Sequence, residues 1–140
     1  MVIDKELLDK LTAQAKDNER LRMNFDLRDS VEDECQRMLN AIEPGSIIPV
    51  HRHPQTSEDV VILRGRAIMV FFDDLGNETT QYLLIPGCLN GEYINNSFPA
   101  IHIPSGQYHT CRSLESGTVI IEFKNTKYDP SGTEVLKKNN

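Results

Sequence analysis

Leu7, Leu8, Leu11 and Ala15 recur at three- and four-residue spacing near the start of the chain, with Asp4 placed to cap a first turn. The pattern before about residue 30 therefore predicts helix. After Pro44 the period changes. All eight Gly and nearly every Pro punctuate short runs rich in Val, Ile, Phe and Tyr, which predict successive strands and turns. Strands are expected over residues 46–51, 59–64, 67–72, 78–84, 100–104, 107–112 and 117–123. No helical crossover separates them, so the fold class expected is all-β, an antiparallel sandwich or barrel with an N-terminal helix. Arg64-Gly65-Arg66 suits a tight hairpin, and residues 73–77 suit a longer turn.

Residues 31–42 read two ways. Val31, Cys35, Met38, Leu39 and Ile42 form a helical face, whereas residues 37–42 also read as a strand. The strand is preferred, because a turn at Glu43-Pro44-Gly45 would fold it into a hairpin with Ser46 onward. The division expected is a helical extension over 1–30 packing on a barrel over 31–128, followed by a polar tail over 129–140 that frays.

Composition narrows the function classes. The chain has 140 residues and a formal net charge of −6, room for one domain with one core. No apolar stretch approaches the ~20 residues needed to span a bilayer, so no membrane association is expected. The absence of any Lys/Arg block argues against nucleic acid as a partner. The first residues lack the features of a secretory signal, so a cytoplasmic location is expected. Cys35, Cys88 and Cys111 contain no C-x-x-C pair and read as small buried hydrophobes in a reducing compartment.

The candidate chemistry lies in the histidines. His51 and His53 are two apart on a strand end, so both imidazoles point to one face. Glu58 follows after the turn Pro54-Gln55-Thr56-Ser57, where a neighbouring antiparallel strand would return a carboxylate beside them. His109, introduced by Pro104-Ser105-Gly106, would close the group from across the sheet. Three neutral imidazoles and a carboxylate suit a divalent transition metal such as Zn, Mn, Fe, Ni or Cu, and suit Ca or Mg poorly.

The spacing resembles the cupin superfamily. Gly45, His51, His53, Glu58 and Gly65 match every fixed position of its first motif, and Pro104-x-Gly106-x-x-His109 matches the centre of its second. Phe98 and Ser113 depart from the second motif's ends, which serve turns. The resemblance covers roughly residues 35–125 and implies a small double-stranded β-helix, or jelly roll, with a metal in its mouth. A narrower likeness, to the WbuC family of cupin-fold metalloproteins, is carried by Arg20-Leu21-Arg22-Met23-Asn24-Phe25, Cys35-Gln36-Arg37-Met38-Leu39, Pro49-Val50-His51-Arg52-His53-Pro54 and Glu122-Phe123-Lys124. It departs at Asp26, where that family usually carries a His. Members often accompany genes for surface polysaccharide synthesis, which implies a sugar-related role, and small cupins commonly pair, which implies a homodimer.

Further polar candidates are His102 and Tyr108 as general bases, and Arg22, Arg37, Arg64 and Tyr108 as holders of an anionic or sugar-like ligand. Cys111 shares the strand face of His109. The function expected is a metal-binding cupin that takes a small sugar-like or hydroxy-carbonyl molecule. Open metal positions would polarise its carbonyl for isomerisation or epimerisation. An Fe-dependent dioxygenase and a non-catalytic sugar sensor are the alternatives.

Overall fold

The structure is a computed structural model that describes residues 1–87 and 97–137. Helix α1 runs Lys5–Asp17, and the Asp4 carboxylate accepts the Leu7 N–H at 3.0 Å. The helical pattern expected to continue towards residue 30 stops at Asp17. Chain reversal through Leu21, at φ 54°, leads instead into a strand, β1 (Arg22–Asp26). The later strands are β2 (Gln36–Ile42), β3 (His51–Arg52), β4 (Glu58–Arg64), β5 (Ala67–Phe72), β6 (Glu78–Leu84), β7 (Ser97–Phe98), β8 (Ala100–Ile103), β9 (Tyr108–Ser113), β10 (Thr118–Lys124) and β11 (Glu134–Val135). Cys88 lies outside the described residues.

The strands form two sheets. Sheet A has the order β1-β2-β10-β4-β8, and sheet B the order β11-β3-β9-β5-β6-β7. This is the two-sheet jelly roll that the resemblance implied. Among the described residues the sheets face one another without hydrogen-bonded closure into a barrel. The hairpin expected between β2 and Ser46 onward does not form, since β2 pairs with β1 and β10. Residues 46–50 make no ladder because their carbonyls are taken elsewhere. Ile47 O accepts from the Arg22 guanidinium, Ile48 O from the Thr110 hydroxyl and Val50 O from Leu136 N.

Alternation along the strands builds three cores. Ile42, Val60, Ile62, Met69 and Ile120 meet between the sheets. On the outer face of sheet A, Leu39, Ala41, Val119 and Ile121 pack under Leu8, Leu11 and Ala15 of α1. Sheet A thus has an apolar cluster on each face, which is why Val60-Val61-Ile62-Leu63 reads as an unbroken apolar run. The third core, Val70, Phe72 and Tyr108 on the outer face of sheet B, is covered by Val50 and Leu136. The tail expected to fray is therefore held as far as Leu136: β11 pairs with β3, Glu134 binds Arg52 at 2.8 Å, and Leu136 N donates to Val50 O. At the tight hairpin between β4 and β5, Gly65 has φ +83°, and a Cβ there would lie 2.6 Å from the Thr118 Cα. Only glycine fits. Among the described residues no helix is long and apolar enough to cross a membrane.

Candidate metal centre

The histidines arrive on neighbouring strands. His51 of β3 stands directly opposite His109 of β9 in sheet B, and His53 follows β3 on the same face. Glu58 opens β4 in sheet A. The expected arrangement is therefore exchanged: His109 is the strand neighbour, and the carboxylate reaches across from the facing sheet. The convergence is the same.

The ligand atoms of His51, His53 and His109 all lie within 4.8 Å of one another. His53, His109 and Glu58 are buried, at 9%, 3% and 5% exposure. Second partners orient the rings. His51 Nδ1 lies 2.8 Å from Pro49 O and His109 Nδ1 2.9 Å from Gln107 O. A carbonyl only accepts, so in both rings Nδ1 carries a proton, which leaves Nε2 as the atom available to a ligand. His53 Nδ1 sits 3.3 Å from the Thr133 hydroxyl. Burial, then the neighbouring His109, pulls His51 down to about 4, which keeps it neutral at physiological pH.

Glu58 Oε2 decides what this group accommodates. It lies 3.1 Å from His53 Nε2 and 3.6 Å from His109 Nε2, yet no donor meets it in hydrogen-bonding geometry. A buried carboxylate oxygen without a donor is costly. Burial pushes the Glu58 carboxyl up, but interactions with His109, His53 and Glu122 outweigh that and hold it well below its usual range. The result is an anionic oxygen beside imidazole nitrogens, a donor set that fits a divalent transition ion. Ligands of one ion at about 2.1 Å sit at most about 4.2 Å apart, so small ring movements close the group.

The group lines a cavity of about 230 Å³ between the sheets. Sequence reasoning assigned no role to several of its lining residues: Arg20, Asn24, Asn40, Glu122 and Lys124. Glu122 was nonetheless visible as an acid in the otherwise apolar stretch from Val119 to Phe123, on the same strand face as Ile120. Its carboxylate accepts the Asn40 amide. Burial, then the charge of Glu58, pushes it up to about 8, so it holds a proton at neutral pH. Cys111 also borders the cavity, and burial drives its thiol to about 12, as befits an inert core residue.

The other expected residues divide. Arg22 lines the cavity. His102 stands opposite Asp59 and binds its carboxylate at 2.7 Å on the exposed face of the β4–β8 pair, while Glu58 and Ile103 face inward. Tyr108 packs in the outer core of sheet B with the Arg52 guanidinium 4.5 Å above its ring. Arg37 binds Asp33, and Arg64 ties β4 to α1 through Asp9 and Thr12.

Residues 3–84 match the sequence profile of a family described as a domain of unknown function, DUF6016. The chain belongs to this family. The DUF6016 match contains His51, His53 and Glu58, and ends before His109. No curated protein matches the sequence. Among solved structures, the capsular polysaccharide assembling protein CapF from Staphylococcus aureus is similar with a TM-score of 0.64 and 21% identity, over 86% of this chain and 33% of that one. Oxalate decarboxylase from Bacillus subtilis is similar with a TM-score of 0.58 and 17% identity, over 82% and 27%. KdgF from Halomonas sp. is similar with a TM-score of 0.56 and 12% identity, over 79% and 83%. The DUF6016 chain thus spans about a third of CapF and most of KdgF. These likenesses establish the cupin fold.

Proposed function

We infer that His51, His53, His109 and Glu58 hold one divalent transition metal, and that the protein is a metal-dependent cupin acting on a small sugar-like or hydroxy-carbonyl molecule. The observation that carries this reading is the buried, donorless Glu58 Oε2 beside the Nε2 atoms of His53 and His109. A bound ion supplies Lewis acidity towards a carbonyl or hydroxyl oxygen. The chain's own residues do the rest. The Pro49 and Gln107 carbonyls fix the His51 and His109 rings, and such outer partners matter nearly as much as the ligands. Glu122, kept protonated on the cavity wall with Asn40 on its carboxylate, is the residue placed to give and take back a proton during isomerisation or epimerisation. His102 and Tyr108 face elsewhere, which favours Glu122 over both. A role in polysaccharide metabolism is supported by the fold likeness to CapF and by the WbuC-like segments, three of which contribute Arg22, His51 and Glu122 to the cavity. The reading includes a homodimer joined through a sheet edge, to be checked by light scattering.

Elemental analysis of the purified, metal-reconstituted protein tests the centre. About one transition metal per chain, lost in the His51→Ala, His53→Ala double variant, is expected. Equal metal content in the two proteins, or none in either, would sink it. Bound Fe accompanied by substrate-dependent oxygen uptake would replace isomerisation by dioxygenation.

A further inference from the structure

The lining of the cavity carries positive charge that the chain leaves without an ion pair. Arg20 and Arg22 come from the segment entering β1, at the Ile42 and Thr118 end of sheet A, whereas Lys124 ends β10 at the opposite end, beside Gln36; all three line the cavity. None makes an ion pair among the described residues, in a chain of net charge −6. Every other arginine does: Arg28, Arg37, Arg52, Arg64, Arg66 and Arg112 each hold a carboxylate. Acidic partners are therefore plentiful, and these cations are kept apart from them.

Arg22 is also fixed in place. Its Nη1 donates to Ile47 O at 3.0 Å and to the Ser46 hydroxyl at 3.4 Å, and that hydroxyl donates to Arg20 O at 2.6 Å. Its Nε and Nη2 donors have no partner among the described residues. Partial burial, then the charge of Arg20, lowers Arg22 from its usual value, so two like charges are held together on one wall. The acids deeper in the cavity do not relieve them. Glu58 faces His53 and His109, Glu122 takes the Asn40 amide, and Lys124 stands opposite Glu58 in register without pairing to it. A guanidinium pair with free donors is a site for planar or tetrahedral anionic oxygens. The volume, about 230 Å³, falls below the roughly 300 Å³ where drug-sized pockets begin and limits the occupant to something near one monosaccharide.

We propose that the ligand is a small acid whose carboxylate or phosphate is held by Arg20 and Arg22 while its oxygen-bearing end faces the histidines. Only the placement of the second end rests on the metal-centre reading; the anion arm stands on the cations themselves.

Calorimetric titration of the metal-loaded protein with galacturonate, galactose 6-phosphate and neutral galactose tests it. At least one acidic probe is expected to bind about tenfold or more tightly than galactose, with a preference that shrinks as salt rises. The Arg20→Gln, Arg22→Gln double variant should lose that preference. Arg20→Gln alone should weaken it, and because the Arg20 side chain makes no hydrogen bond or ion pair among the described residues, this variant guards against misfolding. The better acidic probe distinguishes carboxylate from phosphate. Galactose binding as tightly as both acids, no acid binding at millimolar concentration, or a preference surviving the double variant would overturn the arm. Metal content of the same samples separates the two readings. A chain that takes no metal but still discriminates by charge keeps the arm and loses the centre, and a stoichiometric centre without discrimination does the reverse.

Discussion

Sheet A carries two different jobs on its two faces. Outward, β10 presents Val119, Ile121 and Phe123, beside Leu39 and Ala41 of β2, to the apolar core under α1. Inward, the same strand presents Ile120, then Glu122, then Lys124, and β2 presents Ile42, then Asn40. Along these two strands the inner face thus grades from hydrocarbon at Ile42 and Ile120 to charge at Glu122 and Lys124. One strand buries area on one side, where non-directional burial suffices, and on the other sets polar atoms at fixed heights on a rigid ladder. The stabilising face holds the chemical face still.

This division can be broken from either side. The largest stability effect is expected from Leu39→Ala on the helix-covered face, where Leu39 is fully buried: a loss of about 2–5 kcal/mol, read as a lower urea midpoint, with metal content per folded chain unchanged. A simultaneous loss of metal would show that the faces are not separable. On the inner face, Glu122 is raised from 4.5 to about 8 on folding and His51 is lowered from 6.5 to about 4. The raised carboxyl makes stability fall as pH climbs from 4.5 to 8, whereas the lowered imidazole makes it rise between 4 and 6.5. The slopes oppose one another below 6.5 and leave the Glu122 slope alone from there to 8. Chelator-treated protein should therefore lose about 1 kcal/mol per pH unit across that upper window, and Glu122→Gln should flatten the curve; urea melts at each pH decide. The smallest effect is expected from Arg64→Lys. A single ammonium cannot bind Gly117 O, Thr12 and Asp9 as the guanidinium does. A cost of about 1 kcal/mol with unchanged ligand binding would confirm Arg64 as a tie between sheet and helix.

The strands visible in the sequence were those bounded by turn residues, from β4 to β6 and from β8 to β10, where alternation and Gly or Asp-Asn turns agree. Residues 22–26 alternate too, with Arg22 and Asn24 against Met23 and Phe25, but five residues beside a strong helical pattern read as its continuation. Residues 46–50 misled in the other direction. Their β-branched composition reads as strand, yet side chains far away in sequence claim their carbonyls. Strand β11 escaped notice because its pairing with β3 spans some eighty residues, and nothing local encodes it. His51, His53, Glu58 and His109 were legible as a group because spacing limits where imidazoles point. Asn40 and Glu122 were legible only as polar interruptions in apolar strands, and the unpaired state of Arg20 and Arg22 needed the whole list of ion pairs.

The place of β10 has a consequence for how the molecule is made. It lies between β2 and β4 at the centre of sheet A, though it follows both in the chain. While the polypeptide grows, β2 and β4 have no common neighbour, and each shows an open edge flanked by apolar side chains. Sheet A can be completed only after residue 124 has been synthesised, by insertion of a strand into a waiting gap. Such non-local pairing places folding in the slow, millisecond-to-second range of β-rich domains. The interval before insertion is when the chain is most exposed to aggregation, so synthesis rate and temperature will govern the yield of folded protein more strongly than final stability does.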